Sequence, residues 1–66
     1  MAQDLRVERL GPVMRLTLDR PEAMNAMSRP MLDGLRQAMA QATSEDEVRV
    51  VLLTAEGKAF CAGADL

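Results

Sequence analysis

The sequence predicts an α/β fold in which two strands are followed by a helix and a third strand. Three observations indicate this: alternation of apolar and polar residues over 5–10 and 13–19, helical spacing of apolar residues from Met31 onward, and an uninterrupted apolar run at 50–53. The helix lies between the second and third strands, and a crossover of that length permits parallel pairing. We therefore expect an antiparallel pair extended by a parallel strand.

The first two strands flank a Gly-Pro turn signal. The stretches LRVERL, residues 5–10, and VMRLTLD, residues 13–19, both alternate, although Leu10 departs from the pattern. Two such runs around a short turn are typical of an antiparallel pair. The second run directs its apolar side chains to one face, which is the predicted core face: Met14, Leu16 and Leu18.

A loop and a helix come next. Pro21 argues against further strand, so RPEAMNAMSRP is predicted to be a loop. Ser28 is placed to cap a helix that has Pro30 in its first turn. Gly34 costs about 1 kcal/mol relative to alanine, which is tolerable if it lets the helix lie close to a sheet. The apolar residues predicted to share one helix face are Met31, Leu35, Ala38, Met39 and Ala42.

The third strand follows an acidic stretch, TSEDE at 43–47, which is either a solvated loop or a short capped turn. The apolar run within VRVVLLTAE then favours a strand buried on both faces of a parallel sheet. The loop that follows leaves the carboxyl end of this strand. In open α/β sheets that is the edge where ligands bind.

The composition excludes several classes of function. The net charge is −2, the charges are scattered, and Phe60 is the only aromatic residue, so the chain lacks the basic footprint and stacking platform of a nucleic-acid-binding protein. No apolar run approaches the ~20 residues of a membrane span, and the N-terminus lacks a signal core, so we expect a cytoplasmic protein. A lone cysteine without histidine provides neither a disulfide nor a zinc site. A chain this short buries only about 60% of its unfolded surface, and we expect it to depend on the remainder of a fold or on another chain.

The final segment, GKAFCAGADL at 57–66, offers backbone groups rather than reactive side chains. Small residues let a ligand approach the main chain, and Gly63 has a conformational freedom that other residues lack. Backbone amides aimed at a developing negative oxygen form an oxyanion hole. Tight packing alone is the commoner explanation of such a loop. The glycine spacings of phosphate-binding motifs are absent.

The side chains of this segment favour structural roles. Cys61 has no histidine in the chain to act as its base, so we expect a small buried residue rather than a nucleophile. Phe60 and Leu66 can anchor the segment in the core. Asp65 is either a general acid or base or, more commonly for an aspartate in this setting, a cap of the following turn.

Two blocks of this sequence resemble the N-terminal part of the crotonase superfamily, the enoyl-CoA hydratase/isomerase family. DRPEAMNAMS is similar to the family pattern R-P-x-x-x-N-A-[LM], and GKAFCAGADL is similar to G-x-x-F-[CS]-A-G-x-D-[LI]. Both blocks occur in the family's order, with a helix and an apolar strand between them. The resemblance covers the chain from about residue 5 to residue 66.

The resemblance implies a spiral of repeated ββα units, of which this chain would be the first strand–strand–helix–strand portion. Residues 1–66 would then be an incomplete N-terminal part of one domain that assembles as homotrimers or hexamers. The family binds acyl-CoA thioesters, so coenzyme A is part of the substrate and no separate cofactor or metal is expected. The backbone amide of Ala64 matches the family's first oxyanion-hole donor. The residues that match the acyl-CoA-binding positions are Ala23, Met24, Ala62, Gly63, Ala64, Asp65 and Leu66.

One departure from the family concerns charge. Family members often carry a basic residue near positions 22–24, where this chain has Glu22, Ala23 and Met24. Arg20 or Arg29 would be weaker substitutes for a contact to the phosphates of coenzyme A.

The function implied is that of an enoyl-CoA hydratase-like lyase, which stabilises an enolate through backbone amides. The acidic residues that move protons in the family come later in its chain, so this segment alone is expected to be inactive. Enoyl-CoA isomerase or another activity of the same fold is an alternative. A non-catalytic module that binds acyl-CoA or a partner chain is a second alternative of a different class.

Overall fold

The computed structural model describes residues 4–61 and 63. Its elements are β1 (Leu5–Leu10), β2 (Val13–Leu18), a 3₁₀ turn (Pro21–Ala23), α1 (Arg29–Ser44) and β3 (Val50–Ala55). The sheet has the order β1-β2-β3, with β1 antiparallel and β3 parallel to β2. This confirms the predicted fold class and the predicted strand pairing.

The core lies between one face of this sheet and α1. Because the side chains of a strand alternate between the two faces, β2 places Met14, Leu16 and Leu18 against the helix, and each is at most 1% exposed. Met31 and Ala38 of α1 are buried against them. Burial of a side chain of this size contributes about 1.5–3 kcal/mol, so these residues hold the helix on the sheet.

The helix begins where the sequence predicts. The Ser28 hydroxyl accepts a hydrogen bond from the Met31 amide at 3.2 Å, which is the expected N-cap. The same hydroxyl donates to the Asp4 carboxylate and so ties the start of α1 to the start of β1. A Cβ added at Gly34 would lie 3.1 Å from Cδ2 of Leu5, so the absent side chain allows the close approach of helix and sheet.

The prediction that Met39 belongs to the buried helix face is wrong, because Met39 is 51% exposed. Successive helical residues are about 100° apart, and Met31, Leu35, Ala38 and Ala42 cluster on one side while Met39 lies well away from their centre. The core-facing stripe is therefore narrower than the apolar pattern indicates.

The prediction that β3 is buried on both faces is also wrong for this chain. Val50, Leu52 and Leu53 are 52%, 45% and 42% exposed. β3 is an edge strand of the three-stranded sheet, and α1 packs on β1 and β2. Of β3, Val51 and Ala55 contact the core.

The acidic stretch after α1 adopts the loop alternative. The helix ends at Ser44, and the Glu45 amide donates to the carbonyl of Gln41. The carboxylates of Glu45 and Glu47 then pair with Arg9 of β1. Within the described part of the chain, no helix combines the length and the apolar character needed to cross a membrane.

Candidate functional site

Two loops meet at one edge of the sheet. The first loop, residues 20–28, follows β2, and the last loop, residues 56–63, follows β3. Because β2 and β3 are parallel and Leu18 is in register with Ala55, both loops leave the same, carboxyl, edge. The two sequence blocks that are far apart in the chain therefore come together in space.

A backbone hydrogen bond joins the two loops. The Met27 amide donates to the Gly63 carbonyl at 2.6 Å. At the other end of the last loop, the Glu56 amide donates to the Leu18 carbonyl at 2.9 Å and continues the pairing of β3 with β2. The last loop is thus fixed at both ends of its described length.

Asn25 connects the loops through its side chain. It is fully buried, and its φ of 56° is in the left-handed region that asparagine tolerates better than most residues. Its Oδ1 accepts a hydrogen bond from the Arg20 amide at 2.7 Å. Its Nδ2 donates to the carbonyls of Glu56 at 2.6 Å and Ala59 at 2.7 Å. One carboxamide therefore satisfies main-chain groups in both loops.

A proline and a glycine make a second contact between the loops. Gly57 has a φ of +86°, and a Cβ added there would lie 2.9 Å from Cβ of Pro21. Real side chains essentially never approach a rigid ring this closely, so the contact requires glycine. The 3₁₀ turn of the first loop can therefore lie directly against the main chain of the last loop.

The predicted site residues divide into two groups. Ala23 is partly buried at the end of the 3₁₀ turn, Met24 is 57% exposed with a φ of 52°, and Gly63 is exposed with a φ of +125°. The structure places all three at the same sheet edge. The other predicted residues lie outside the described residues: Ala62, Ala64, Asp65 and Leu66.

Two predictions about this loop are wrong. Phe60 is 54% exposed rather than anchored in the core, and Cys61 is exposed rather than buried. The Cys61 thiol lies 3.6 Å from the Gly63 carbonyl. The last loop is held through main-chain carbonyls and not through burial of its apolar side chains, which explains both errors.

Two arginines near the loops form hydrogen bonds or ion pairs within the protein. The Arg20 guanidinium donates to the Ala26 carbonyl at 3.1 Å, within the first loop. Arg6 pairs with the carboxylates of Glu56 and Asp19. Whether Arg20 or Arg29 contacts a ligand stays a prediction from the sequence.

Sequence reasoning missed Asn25, Gly57 and Pro21 as the residues that join the loops. An asparagine in a proline-containing loop is a signal for a left-handed turn. Its partners, however, are carbonyls that every residue possesses, so the pattern of side chains does not reveal them.

Solved structures of similar fold define the class of protein. An enoyl-CoA hydratase from Mycobacterium tuberculosis H37Rv matches with a TM-score of 0.90 and 38% identity, covering 96% of this chain and 28% of that one. A carnitinyl-CoA dehydratase from Mycobacterium avium 104 matches with a TM-score of 0.91 and 46% identity, covering 97% of this chain and 25% of that one. The fold is that of the N-terminal segment of the crotonase superfamily.

Sequence comparison gives the family. A family model described as enoyl-CoA hydratase/isomerase matches residues 8–66, and the chain belongs to that family. The probable enoyl-CoA hydratase EchA6 of Mycobacterium leprae is 46% identical over 57 residues, which are 82% of this chain and 23% of the relative. The 1,2-epoxyphenylacetyl-CoA isomerase of Escherichia coli is 44% identical over 54 residues, which are 82% of this chain and 21% of that protein. The chain therefore spans about a quarter or less of these two curated relatives.

Proposed function

We propose that this chain is the N-terminal part of an enoyl-CoA hydratase-like lyase, in which the backbone amide of Ala64 stabilises an enolate formed from an acyl-CoA thioester. The observation that carries the proposal is the hydrogen bond from the Met27 amide to the Gly63 carbonyl. Coenzyme A arrives in this scheme as part of the substrate.

The peptide that follows Gly63 links this bond to the chemistry. A carbonyl and the amide N–H after it belong to one planar unit, and in a trans peptide they point in opposite directions. In the proposed scheme, the Gly63 carbonyl is held by Met27, and the N–H that follows it would be available to a ligand. A donor held in this way would be fixed before the substrate arrives, which is the condition for stabilising a developing oxyanion without reorganisation.

Access to this peptide supports the same proposal. Gly63 is exposed, and a Cβ added to it would meet no described atom within 4 Å. Met24 of the first loop is 57% exposed and presents an apolar surface at the same edge. A thioester can approach the main chain here, while the apolar surface favours contact with the uncharged parts of an acyl-CoA.

Removal of the Ala64 amide tests the proposal. The test uses the protein expressed from its complete coding sequence, here called the complete protein, with crotonyl-CoA and loss of the conjugated-thioester absorbance as the readout. Ala64→Pro removes the donor and is expected to lower kcat by about 10²–10³-fold. Ala64→Gly keeps the N–H and serves as the control.

A second variant guards against a loop that misfolds with proline. Replacing the Ala64 amide by an ester, through semisynthesis with lactic acid at this position, exchanges the N–H for an oxygen atom and keeps the Gly63 carbonyl, although as a weaker acceptor for the Met27 amide. Unchanged kcat in the ester variant would overturn the assignment. Absence of turnover in the unmodified complete protein, with acyl-CoA binding retained, would overturn the hydratase proposal itself.

An isomerase is the second candidate, because one relative of comparable identity is named 1,2-epoxyphenylacetyl-CoA isomerase. Both reactions would use the same polarised thioester carbonyl. Mass spectrometry of the product distinguishes them, since hydration adds one water to the substrate and isomerisation leaves its mass unchanged.

A further inference from the structure

We infer that Asn25 is a positioning residue for this reaction, because its carboxamide sets the course of the last loop and thereby the orientation of the Gly63 peptide. The inference rests on the proposed function. Asn25 itself touches no reacting atom in this scheme and acts through the main chain.

The bonds of Nδ2 define the shape of the last loop. Both of its hydrogens are used, one on the Glu56 carbonyl and one on the Ala59 carbonyl. Because one amide nitrogen bonds both carbonyls, which are three residues apart, it holds them close together and stabilises the turn between Glu56 and Ala59. Between Glu56 and Ala59 the chain therefore bends around the carboxamide of Asn25.

Hydrogen bonds within the first loop fix the position of the Asn25 carboxamide. Oδ1 accepts from the Arg20 amide at 2.7 Å, and the Asn25 amide donates to the Arg20 carbonyl at 2.8 Å. Two residues later, the Met27 amide holds the Gly63 carbonyl. The carboxamide and the Met27 amide thus hold the last loop at two places from one short, rigid stretch.

The residue type follows from these requirements together. The φ of 56° favours asparagine or glycine. Glycine satisfies the backbone but provides no hydrogen bonds, and aspartate keeps the acceptor for the Arg20 amide but has no donors. Because Asn25 is fully buried, its loss leaves the carbonyls of Glu56 and Ala59 without their partner. Unpaired carbonyls are unfavourable, and we expect the main chain of the last loop to shift as they acquire new partners.

The test compares Asn25→Gly with Thr17→Val in the complete protein. Asn25→Gly keeps the backbone conformation and removes only the side-chain bonds. Thr17→Val removes a different, partly buried hydrogen bond, the 3.1 Å contact between the Thr17 and Thr54 hydroxyls, which involves neither loop. The two readouts are kcat and KM for crotonyl-CoA, and the infrared carbonyl stretch of bound butyryl-CoA labelled with ¹³C at the thioester carbon.

The expected result is a selective loss. Displacement of the oxyanion donor lowers kcat by about 100-fold in Asn25→Gly, with KM little changed. The carbonyl stretch of the bound thioester, shifted to lower frequency in the unmodified protein, returns toward its value in water. Thr17→Val lowers the melting temperature but leaves kcat and the carbonyl stretch unchanged.

Two outcomes would contradict different statements. If the unmodified protein does not shift the carbonyl stretch, the proposed function fails and the role of Asn25 fails with it. If the unmodified protein shifts the stretch and Asn25→Gly shifts it equally, with kcat also retained, only the role of Asn25 fails. Should Asn25→Gly not fold, Asn25→Asp is measured in the same way, and the same outcomes apply.

Discussion

The core and the paired loops of this segment are held by different forces. The core consists of side chains that exclude water, such as Leu16 and Met31, each at most 1% exposed. The loops are joined through main-chain groups, and the contacts between them depend on the buried carboxamide of Asn25 and on the missing side chain of Gly57. The core thus depends on apolar volume, and the loops depend on donors, acceptors and φ angles.

This difference has a consequence for substitution. A core position accepts another apolar side chain of similar volume, because the hydrophobic effect is not directional. A loop position such as Asn25 or Gly57 accepts almost nothing else, since each meets two separate requirements at once. Substitutions in the core should therefore change stability, and substitutions in the loops should change the geometry of the site.

The largest expected effect is on the core. Leu16→Ala in the complete protein creates a cavity beneath α1 and is expected to lower the free energy of unfolding by about 2–5 kcal/mol. The control, Leu16→Met, conserves volume and is expected to cost less than about 1.5 kcal/mol. Chemical denaturation measures both. Equal losses of unfolding free energy in the two variants would contradict a core that depends on apolar volume. A lowered kcat per folded molecule in Leu16→Ala would contradict the separation of core stability from site geometry.

A smaller effect is expected at the contact between the loops. Gly57→Ala combines a φ of +86° with a Cβ 2.9 Å from the Pro21 ring, whereas Gly11→Ala combines a φ of +63° with open space. The backbone strain is of order 1–3 kcal/mol in each case. Only Gly57→Ala also pushes the loops apart, so only this variant should lower kcat in the crotonyl-CoA assay. Equal kcat values for the two variants would show that the Pro21 contact does not set the site.

The smallest expected effect concerns an ion pair on the face of the sheet opposite α1. Arg15 donates two hydrogen bonds of 2.9 Å to Glu8, and these bonds hold the pKa of the Glu8 carboxyl below its ordinary value of 4.5. A carboxyl whose pKa is lower in the folded than in the unfolded protein stabilises the fold. This stabilisation is complete above the pKa of the unfolded state and is lost as the pH falls through the pKa of the folded state. Because both side chains remain partly accessible to solvent, the contribution is expected to be minor.

Acid denaturation of four proteins measures this contribution: the complete protein, Glu8→Gln, Arg15→Gln and the double variant. Each single substitution should flatten the fall in stability below pH 4.5. The double variant should add nothing further. Strictly additive effects would contradict an interaction between Glu8 and Arg15.

The sequence predicts the core better than the site, for a physical reason. Met14, Leu16 and Leu18 are recognisable because strand alternation and apolar character coincide, and Ser28 is recognisable because few residue types cap a helix. Burial of β3 is not predictable from its composition, because burial depends on what lies against a strand. Its apolar run indicates only what the strand could bury.

A motif in the sequence marks the two loops of the candidate site, whereas the main-chain carbonyls that join these loops leave no mark in the sequence. The small residues of the last loop indicate access to the backbone, and Gly63 is found exposed at the expected sheet edge. The carboxamide that fixes the loop has partners at Glu56 and Ala59, whose side chains are not involved. Contacts of that kind become visible only when the fold brings the two loops together.

The parallel register of β2 and β3 also determines where insertions and deletions are tolerated. Both joined loops begin at paired strand ends, Leu18 of β2 and Ala55 of β3. Helix α1 and the acidic stretch after it connect the first loop to the start of β3. A residue gained or lost between Ser44 and Val50 alters the turn whose Glu45 and Glu47 carboxylates pair with Arg9, but this turn lies at the amino end of β3, away from the edge where the two loops meet. A single residue lost between Leu18 and Asn25 would carry the carboxamide out of reach of both carbonyls. The length of the connection from Leu18 to Asn25 is therefore constrained more tightly than the length of the connection from Ser44 to Val50.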